Sequence, residues 1–140
     1  MGAAYAYGGS YGLDAVGNVS GRTINDGIYR TDVTVSQGQI IRYMQYVDNG
    51  TGDEACTLFG VQGAQDNYAV CLEQVTGPDR ISLARNVQDN DTSGTILSSS
   101  TVTYTDGWYE VEIDWQTNDV IDVTLSQNGS LVATTSATDG

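Results

Sequence analysis

The stretch that indicates the fold most clearly is Trp108–Gln116, WYEVEIDWQ, in which side chains alternate in character along nine residues. Successive side chains of an extended strand point to opposite faces of a sheet. One face is expected to lie against a hydrophobic core, and it carries Tyr109, Val111, Ile113 and Trp115. The opposite face is expected to be the outer surface of a sheet, and it carries Trp108, Glu110, Glu112, Asp114 and Gln116.

The same two-residue period recurs along the chain, and no stretch has the length or the period of a crossover helix. Asn128-Gly129, between two alternating runs, favours a type I′ hairpin turn. About ten short strands are predicted: YGLDAV, IYRTDVTV, QIIRYMQYV, EACTLFGVQ, NYAVCLEQV, RISLARNV, TILSSSTVTY, WYEVEIDWQ, DVIDVTLSQ and SLVATTSA. This pattern predicts an all-β protein, an antiparallel β-sandwich, with residues 1–140 as a single domain.

The charge is strongly negative, with fourteen Asp, four Glu, five Arg and neither Lys nor His, for a net charge of −13. Such a field repels nucleic acids and anionic membranes, so neither is expected as a partner. No apolar run approaches the roughly 20 residues of a membrane span, so membrane insertion is not expected. Because molar salt screens carboxylate repulsion, the composition favours a protein adapted to high salt. An ordinary acidic secreted domain is the alternative.

The two cysteines lie in neighbouring predicted strands, about equally far from a hairpin centre near Gly63-Ala64. Directly opposed cysteines come close enough to bridge, so a Cys56–Cys71 disulfide is predicted, with two buried free thiols as the alternative. A disulfide indicates an extracellular or cell-surface location. Four Asn-x-Ser/Thr sequons, at Asn18, Asn49, Asn90 and Asn128, point the same way.

The outer-face residues also raise the question of catalysis. Glu112-Ile113-Asp114-Trp115-Gln116 resembles the Glu-x-Asp-x-Glu strand of retaining β-glucanases, with an amide at the acid/base position. An amide cannot exchange the proton that the retaining mechanism requires. Without histidine, the usual Ser-His and Cys-His triads are also unavailable. A solvated acidic strand is therefore favoured, and no catalytic residue is assigned; a small glycan hydrolase or lyase is the least favoured hypothesis.

The closing segment, residues 101–139, is similar to the end of concanavalin A-like lectin/glucanase domains of the laminin-G type. Gly107-Trp108-Tyr109 and Asn128-Gly129 occupy the places of that family's Gly-x-Trp-Tyr strand and Asn/Asp-Gly turn. The opening GGSYGLDAVGN resembles the family's first strand. The resemblance implies a jelly roll of two curved antiparallel sheets that takes ligands on its concave sheet or rim loops.

Under that resemblance, the concave sheet is expected to contain the strands IIRYMQYV, TLFGVQ, YAVCLEQ and ISLARN. Sugar sites combine aromatic faces with polar, often bidentate, donors. The candidate ligand-binding residues are Arg42, Tyr46, Gln62, Tyr68, Gln74 and Arg85. For each one alone, rim packing or an ordinary ion pair is the simpler interpretation.

Calcium is the one cofactor that the sequence suggests. The loop VDNGTGDEA offers oxygen ligands from Asp48, Asn49, Asp53 and Glu54 on a glycine-containing segment, which suits Ca²⁺. The family resemblance implies a second possible structural calcium site, near Asp139. In a protein adapted to high salt, acidic loops without metal are expected anyway and are the simpler interpretation.

The function favoured by these observations is a noncatalytic, lectin-like carbohydrate-binding module of an extracellular or cell-surface protein adapted to high salt. The alternative is an adhesion or assembly module of surface-layer, filament or viral-fibre type, whose partner is a surface protein.

Overall fold

The computed structural model describes residues 35–48, 54–63, 66–75, 77–87 and 94–139. These residues form eight strands: β1 (Gln39–Val47), β2 (Glu54–Gly63), β3 (Asp66–Glu73), β4 (Arg80–Arg85), β5 (Thr95–Thr101), β6 (Gly107–Trp115), β7 (Val120–Gln127) and β8 (Ser130–Thr138). Each corresponds to a strand predicted from the alternating pattern. The predicted strand YGLDAV and all of IYRTDVTV except Val35 lie outside the described residues. The described ranges hold no helix long and apolar enough to cross a bilayer.

The strands form two four-stranded sheets, and every pairing is antiparallel. The first sheet has the order β1-β6-β7-β8 and the second the order β2-β3-β4-β5. Two hydroxyl bonds join the sheets along one edge: Ser100 Oγ donates to the Thr134 carbonyl at 2.5 Å, and Thr135 Oγ1 donates to Ser98 Oγ at 2.8 Å. The predicted antiparallel β-sandwich is confirmed.

The core lies between the two sheets and confirms the predicted faces of β6. Tyr109, Val111 and Ile113 are fully buried, and Trp115 is nearly so. The second sheet contributes Val70, Leu72, Ile81 and Leu83 to the same cluster. Burying an aliphatic or aromatic side chain of this size stabilises a fold by about 1.5–3 kcal/mol. The alternating stretch WYEVEIDWQ therefore holds the sandwich together with one face and leaves the other for solvent or ligands.

The connection from β5 to β6 is fastened by two tyrosines whose rings pack edge to face, 5.6 Å apart. Tyr104 OH donates to the Arg80 carbonyl at 2.9 Å, and Tyr109 OH donates to the Thr105 carbonyl at 3.1 Å. The backbone amide of Thr105 in turn donates to Tyr109 OH at 2.9 Å. Burial raises the pKa of Tyr104, because its ionised form would lose hydration. These bonds fix where β6 begins and thereby position its outer face.

Two local predictions are confirmed at hairpins. Cys56 and Cys71 are register partners on β2 and β3, their Cα atoms lie 4.1 Å apart, and they form a disulfide. Asn128 and Gly129 have φ values of 51° and 76°, as a type I′ turn requires of both central residues. The disulfide joins the edge strand β2 to its neighbour, and the turn sets the register of β7 against β8.

Gly60 marks an irregularity in β2 that sequence patterning did not reveal. Its φ is 58°, and it lies where the pairing of β2 with β3 shifts register. A Cβ atom at this position would lie 2.7 Å from Cη2 of Trp115. Glycine is therefore required for two reasons, its positive φ and the close approach of the indole ring.

Candidate functional site

The outer face of the first sheet, hereafter the acidic face, gathers the polar residues of three adjacent strands. The β1–β6 register sets Arg42 opposite Glu112, Met44 opposite Glu110 and Tyr46 opposite Trp108. The β6–β7 register adds Thr124 beside Glu112 and Ser126 beside Glu110. The acidic face comprises Arg42, Met44 and Tyr46 of β1, Trp108, Glu110, Glu112 and Asp114 of β6, and Asp122, Thr124 and Ser126 of β7.

One end of the acidic face carries an aromatic pair. The rings of Tyr46 and Trp108 pack edge to face with centroids 5.4 Å apart and an interplanar angle of 77°. Both side chains are half-buried, so part of each ring remains accessible at the surface. Aromatic rings of this kind combine a large apolar surface with a polar group, and this suits them to ligands that have both apolar and polar faces.

Further along the same face, beyond Met44 and Glu110, lies an ion pair. Arg42 Nε donates to Glu112 Oε2 at 2.5 Å, and both side chains are partly exposed. The acidic face carries four carboxylates, Glu110, Glu112, Asp114 and Asp122, against one guanidinium. Its field is therefore negative, so it favours neutral or cationic ligands over anionic ones.

The position that would be the acid/base of a glucanase has a different role in this structure. Gln116 Nε2 donates to Asp122 Oδ2 at 2.6 Å, and the Gln116 backbone amide donates to the Val120 carbonyl at 2.9 Å. Ser136 Oγ donates to the other oxygen of the same carboxylate, Asp122 Oδ1. The Gln116 amide thus orients the Asp122 carboxylate on the neighbouring strand. A side chain that transferred protons from position 116 would have to break this hydrogen bond.

A groove of about 450 Å³ runs along β8 and continues the acidic face. The groove is shallow and open to solvent, so it offers polar contacts without enclosing a ligand. Most of its lining side chains carry hydroxyl or carboxylate groups, which can bond sugar hydroxyls. The lining consists of Ser98, Ser100, Asp122, Val123, Thr124, Thr134, Thr135 and Ser136.

A second cluster of predicted site residues lies near the end of β8. Tyr68 OH donates to Asp139 Oδ2 at 2.7 Å, and Arg85 Nη1 donates to Asp139 Oδ1. Burial, followed by the hydrogen bond to Asp139 and its negative charge, raises the pKa of Tyr68 to about 12. The Tyr68 ring stacks on Phe59 and meets Trp115 edge to face. These bonds tie Asp139, the residue that follows β8, to β3 and β4 of the second sheet.

The structure therefore divides the predicted ligand-binding residues instead of bringing them together. Arg42 and Tyr46 lie on the acidic face, whereas Tyr68 and Arg85 surround Asp139. Gln62 is exposed on β2, and Gln74 is buried directly after β3. The expectation that all four strands share one concave sheet is wrong, because β1 pairs with β6 and the chain crosses to the other sheet between β1 and β2. Binding by any of these residues stays a prediction.

The calcium hypothesis gains no support from the described residues. Asp48 is exposed after β1, Glu54 is the first residue of β2, and Asn49 and Asp53 lie outside the described ranges. Asp139 accepts from Tyr68 and Arg85, so a cation there would have to displace a guanidinium. In the parts of the chain that the structure describes, no group of three or more metal-binding side chains occurs.

One polar cluster was not predicted. On the outer side of the second sheet, Arg80 Nη2 lies 2.5 Å from Glu73 Oε2, and Ser82 Oγ donates to Glu73 Oε1. The Glu73 side chain is only 5 % exposed. The available signal was Glu73 directly after the run YAVCL, which has no charged residue, because buried carboxylates need a partner. The cluster fixes β3 against β4.

Comparison with known proteins adds no relative. No family model, no curated protein and no solved structure matches this chain.

Proposed function

We propose that this chain is a noncatalytic carbohydrate-binding module that takes its ligand on the acidic face. The observation that carries the proposal is that one exposed sheet surface holds the Tyr46–Trp108 pair and the Arg42–Glu112 ion pair, with Met44 and Glu110 between them. The accessible parts of the aromatic rings would cover the apolar face of a pyranose. Arg42 lies about 13 Å further along the strand. Arg42, the carboxylates and the hydroxyls of the adjoining groove would therefore bond hydroxyl groups of other sugar units in the same chain.

The charge of the acidic face narrows the class of glycan. Four carboxylates against one guanidinium would repel uronic-acid or sulfated polymers. The ligand class is therefore a neutral or amino-bearing glycan. The amide of Gln116 and its bond to Asp122 support binding without hydrolysis, because this position can supply no acid/base group.

A glycan array tests this function, provided that neutral, amino and acidic glycans are all present and the buffer contains molar NaCl. Binding to neutral or amino glycans is expected, and it should be lost in Trp108→Ala, Tyr46→Ala and Arg42→Ala. Thr95→Ala, an exposed change on β5 of the other sheet, is the matched control and should bind normally. Binding that is unaffected by the three acidic-face changes, or that is limited to acidic glycans, would contradict the proposal. Release of reducing sugar from a bound glycan would contradict its noncatalytic character.

The setting we propose is extracellular and of high salinity. The Cys56–Cys71 disulfide and the net charge of −13 support it. The melting temperature should rise by several degrees between low and molar NaCl, as repulsion among the carboxylates is screened. A melting temperature that does not change with salt would argue against the saline setting. It would not bear on glycan binding, which the array tests separately.

An adhesion or assembly module is the second candidate, and one observation favours it. Within the described ranges, each strand at the end of a sheet carries one exposed large apolar residue: Ile40 on β1, Val61 on β2, Ile96 on β5 and Leu131 on β8. Exposed edge strands can pair with other chains. Sedimentation at increasing concentration in molar NaCl discriminates the two functions. Self-association that Leu131→Ser or Ile96→Ser abolishes would favour assembly, whereas a monomer that binds glycans would favour the leading proposal.

A further inference from the structure

We propose that Asn128 is an N-glycosylation site, a modification that does not depend on the proposed sugar-binding function. Asn128-Gly129-Ser130 satisfies the Asn-x-Ser acceptor pattern, with no proline at the middle position. The three residues form the turn between β7 and β8, and all three are exposed. Acceptor asparagines belong on surface loops and turns, and this sequon meets that requirement.

The surroundings of the turn leave room for an enzyme and for an attached sugar. A Cβ atom built at Gly129 has no neighbour within 4 Å, so the turn protrudes into open space. Two other asparagines, by contrast, have side chains engaged in hydrogen bonds. Asn67 is buried and exchanges two hydrogen bonds with Val87, and Asn118 Oδ1 accepts from the Val120 amide. Neither of these two begins a sequon.

The adjacent apolar surface offers a physical role for the glycan. Leu131 is 67 % exposed, the highest value among the exposed large apolar residues of the described chain. It pairs with Ser126 across the hairpin, on the outer side of the first sheet and on the edge strand β8. A sugar on Asn128 would lie within a few residues of Leu131, each residue spanning about 3.3 Å along the strand. It would cover this side chain and hinder other chains from pairing with β8.

The reaction is a glycosyl transfer from a lipid-phosphate-linked oligosaccharide. The side-chain amide nitrogen of Asn128 forms a bond to the anomeric carbon of the first sugar and loses one proton. The bond between that carbon and the phosphate oxygen breaks, and the lipid phosphate leaves with the bonding electron pair. No oxidant or reductant is required.

Secretion of the full chain from a yeast host tests the site. Peptides from a Glu-specific digest are analysed by mass spectrometry, so that occupancy is read at Asn128 separately from the other three sequons. Wild type should show a glycopeptide at Asn128 that disappears in Asn128→Gln and in Ser130→Ala. Asn118→Gln, at an exposed asparagine outside any sequon, should retain it. An unmodified Asn128 peptide in the secreted wild-type protein would overturn the proposal.

The role of the glycan at Leu131 has its own measurement. Glycosylated wild type should be retained less than Asn128→Gln on a hydrophobic-interaction column, and this difference should shrink in a Leu131→Ser background. An equal difference in both backgrounds would show that the glycan does not cover Leu131 and would overturn that part of the proposal. Thermal melts of each variant confirm that the compared proteins are folded.

Discussion

Arg42 and Glu112 face each other across the β1–β6 ladder, and their side chains form an ion pair of 2.5 Å at the protein surface. Their side chains are 58 % and 33 % exposed, and exposed pairs of this kind contribute about 0–1 kcal/mol. The pair therefore has little effect on folding. It remains available for ligand contacts.

The Arg42→Ala variant should lose less than about 1 kcal/mol of unfolding free energy in urea at fixed molar NaCl. Arg80→Ala is the matched comparison, because it leaves the buried Glu73 carboxylate without its ion partner. Because Arg80 is 39 % exposed and Ser82 still donates to Glu73, the loss should exceed that of Arg42→Ala but stay below the loss of about 3–5 kcal/mol for a fully buried pair. Similar losses in the two variants would contradict the distinction between a surface pair and a structural pair.

The Cys56–Cys71 disulfide should contribute substantially to stability. It closes a loop with a sequence separation of 15 residues. Cross-linking a loop of that length stabilises a fold by about 3 kcal/mol at 25 °C, by restricting the unfolded chain. The double variant Cys56→Ala/Cys71→Ala should lose about this amount in urea unfolding. Intact mass should rise by two hydrogens when wild type is reduced, and an unchanged mass would mean that the thiols are not bridged.

Gly60→Ala should destabilise the sandwich more than Gly129→Ala does. Both glycines have positive φ, which costs a residue with a Cβ atom about 1–2 kcal/mol. Only at Gly60 would the new methyl group also collide with the Trp115 ring, whereas Gly129 faces open space. Urea midpoints give the comparison, and a change in Trp115 fluorescence should accompany Gly60→Ala alone. Equal losses at the two positions would mean that Trp115 moves away without cost.

Alkaline pH should weaken the fold through its tyrosines. Burial raises the pKa of Tyr43, Tyr68 and Tyr104, with Tyr68 reaching about 12, against an unfolded value near 10. Below about pH 10 both states keep these protons, so the three groups cause no pH dependence. Between about pH 10 and 12 the unfolded state releases them first, so the free energy of unfolding falls as pH rises.

Thermal melts across this range measure the effect. Tyr68→Phe should show a shallower decline than wild type, even though it also loses the bond to Asp139 at neutral pH. A stability that stays constant through this range in wild type, or an identical slope in Tyr68→Phe, would contradict the raised pKa values.

The local features of this fold could be predicted from sequence, and its long-range pairings could not. The two-residue period identified the strands and the inner and outer faces of β6, because alternation is a property of each strand alone. The disulfide followed from the symmetry of a single hairpin. The pairing of Gln39 with Trp115 and of Val47 with Gly107 joins residues about sixty positions or more apart, and nothing in either strand specifies it.

The candidate site shows the same limit. Arg42 and Tyr46 were identified by residue type, but their neighbours Glu112 and Trp108 became evident only once β1 was paired with β6. Tyr68, Arg85 and Asp139 were each considered as possible ligands or metal sites. Their hydrogen bonds form only when β3 and β4 of the second sheet lie close to the end of β8 in the first. No spacing within the sequence specifies this arrangement.

The fluorescence of Trp108 offers the most direct test of glycan binding on the acidic face. The chain contains two tryptophans, Trp108 on this face and Trp115 in the core, so Trp115→Phe leaves Trp108 as the reporter. The neutral or amino glycan that binds best on the array is titrated into this variant in molar NaCl. A saturable change in Trp108 emission is predicted, together with no binding by Trp108→Ala when the glycan is titrated by calorimetry. Undiminished calorimetric binding by Trp108→Ala, with Trp108 emission unchanged in the reporter variant, would contradict the account.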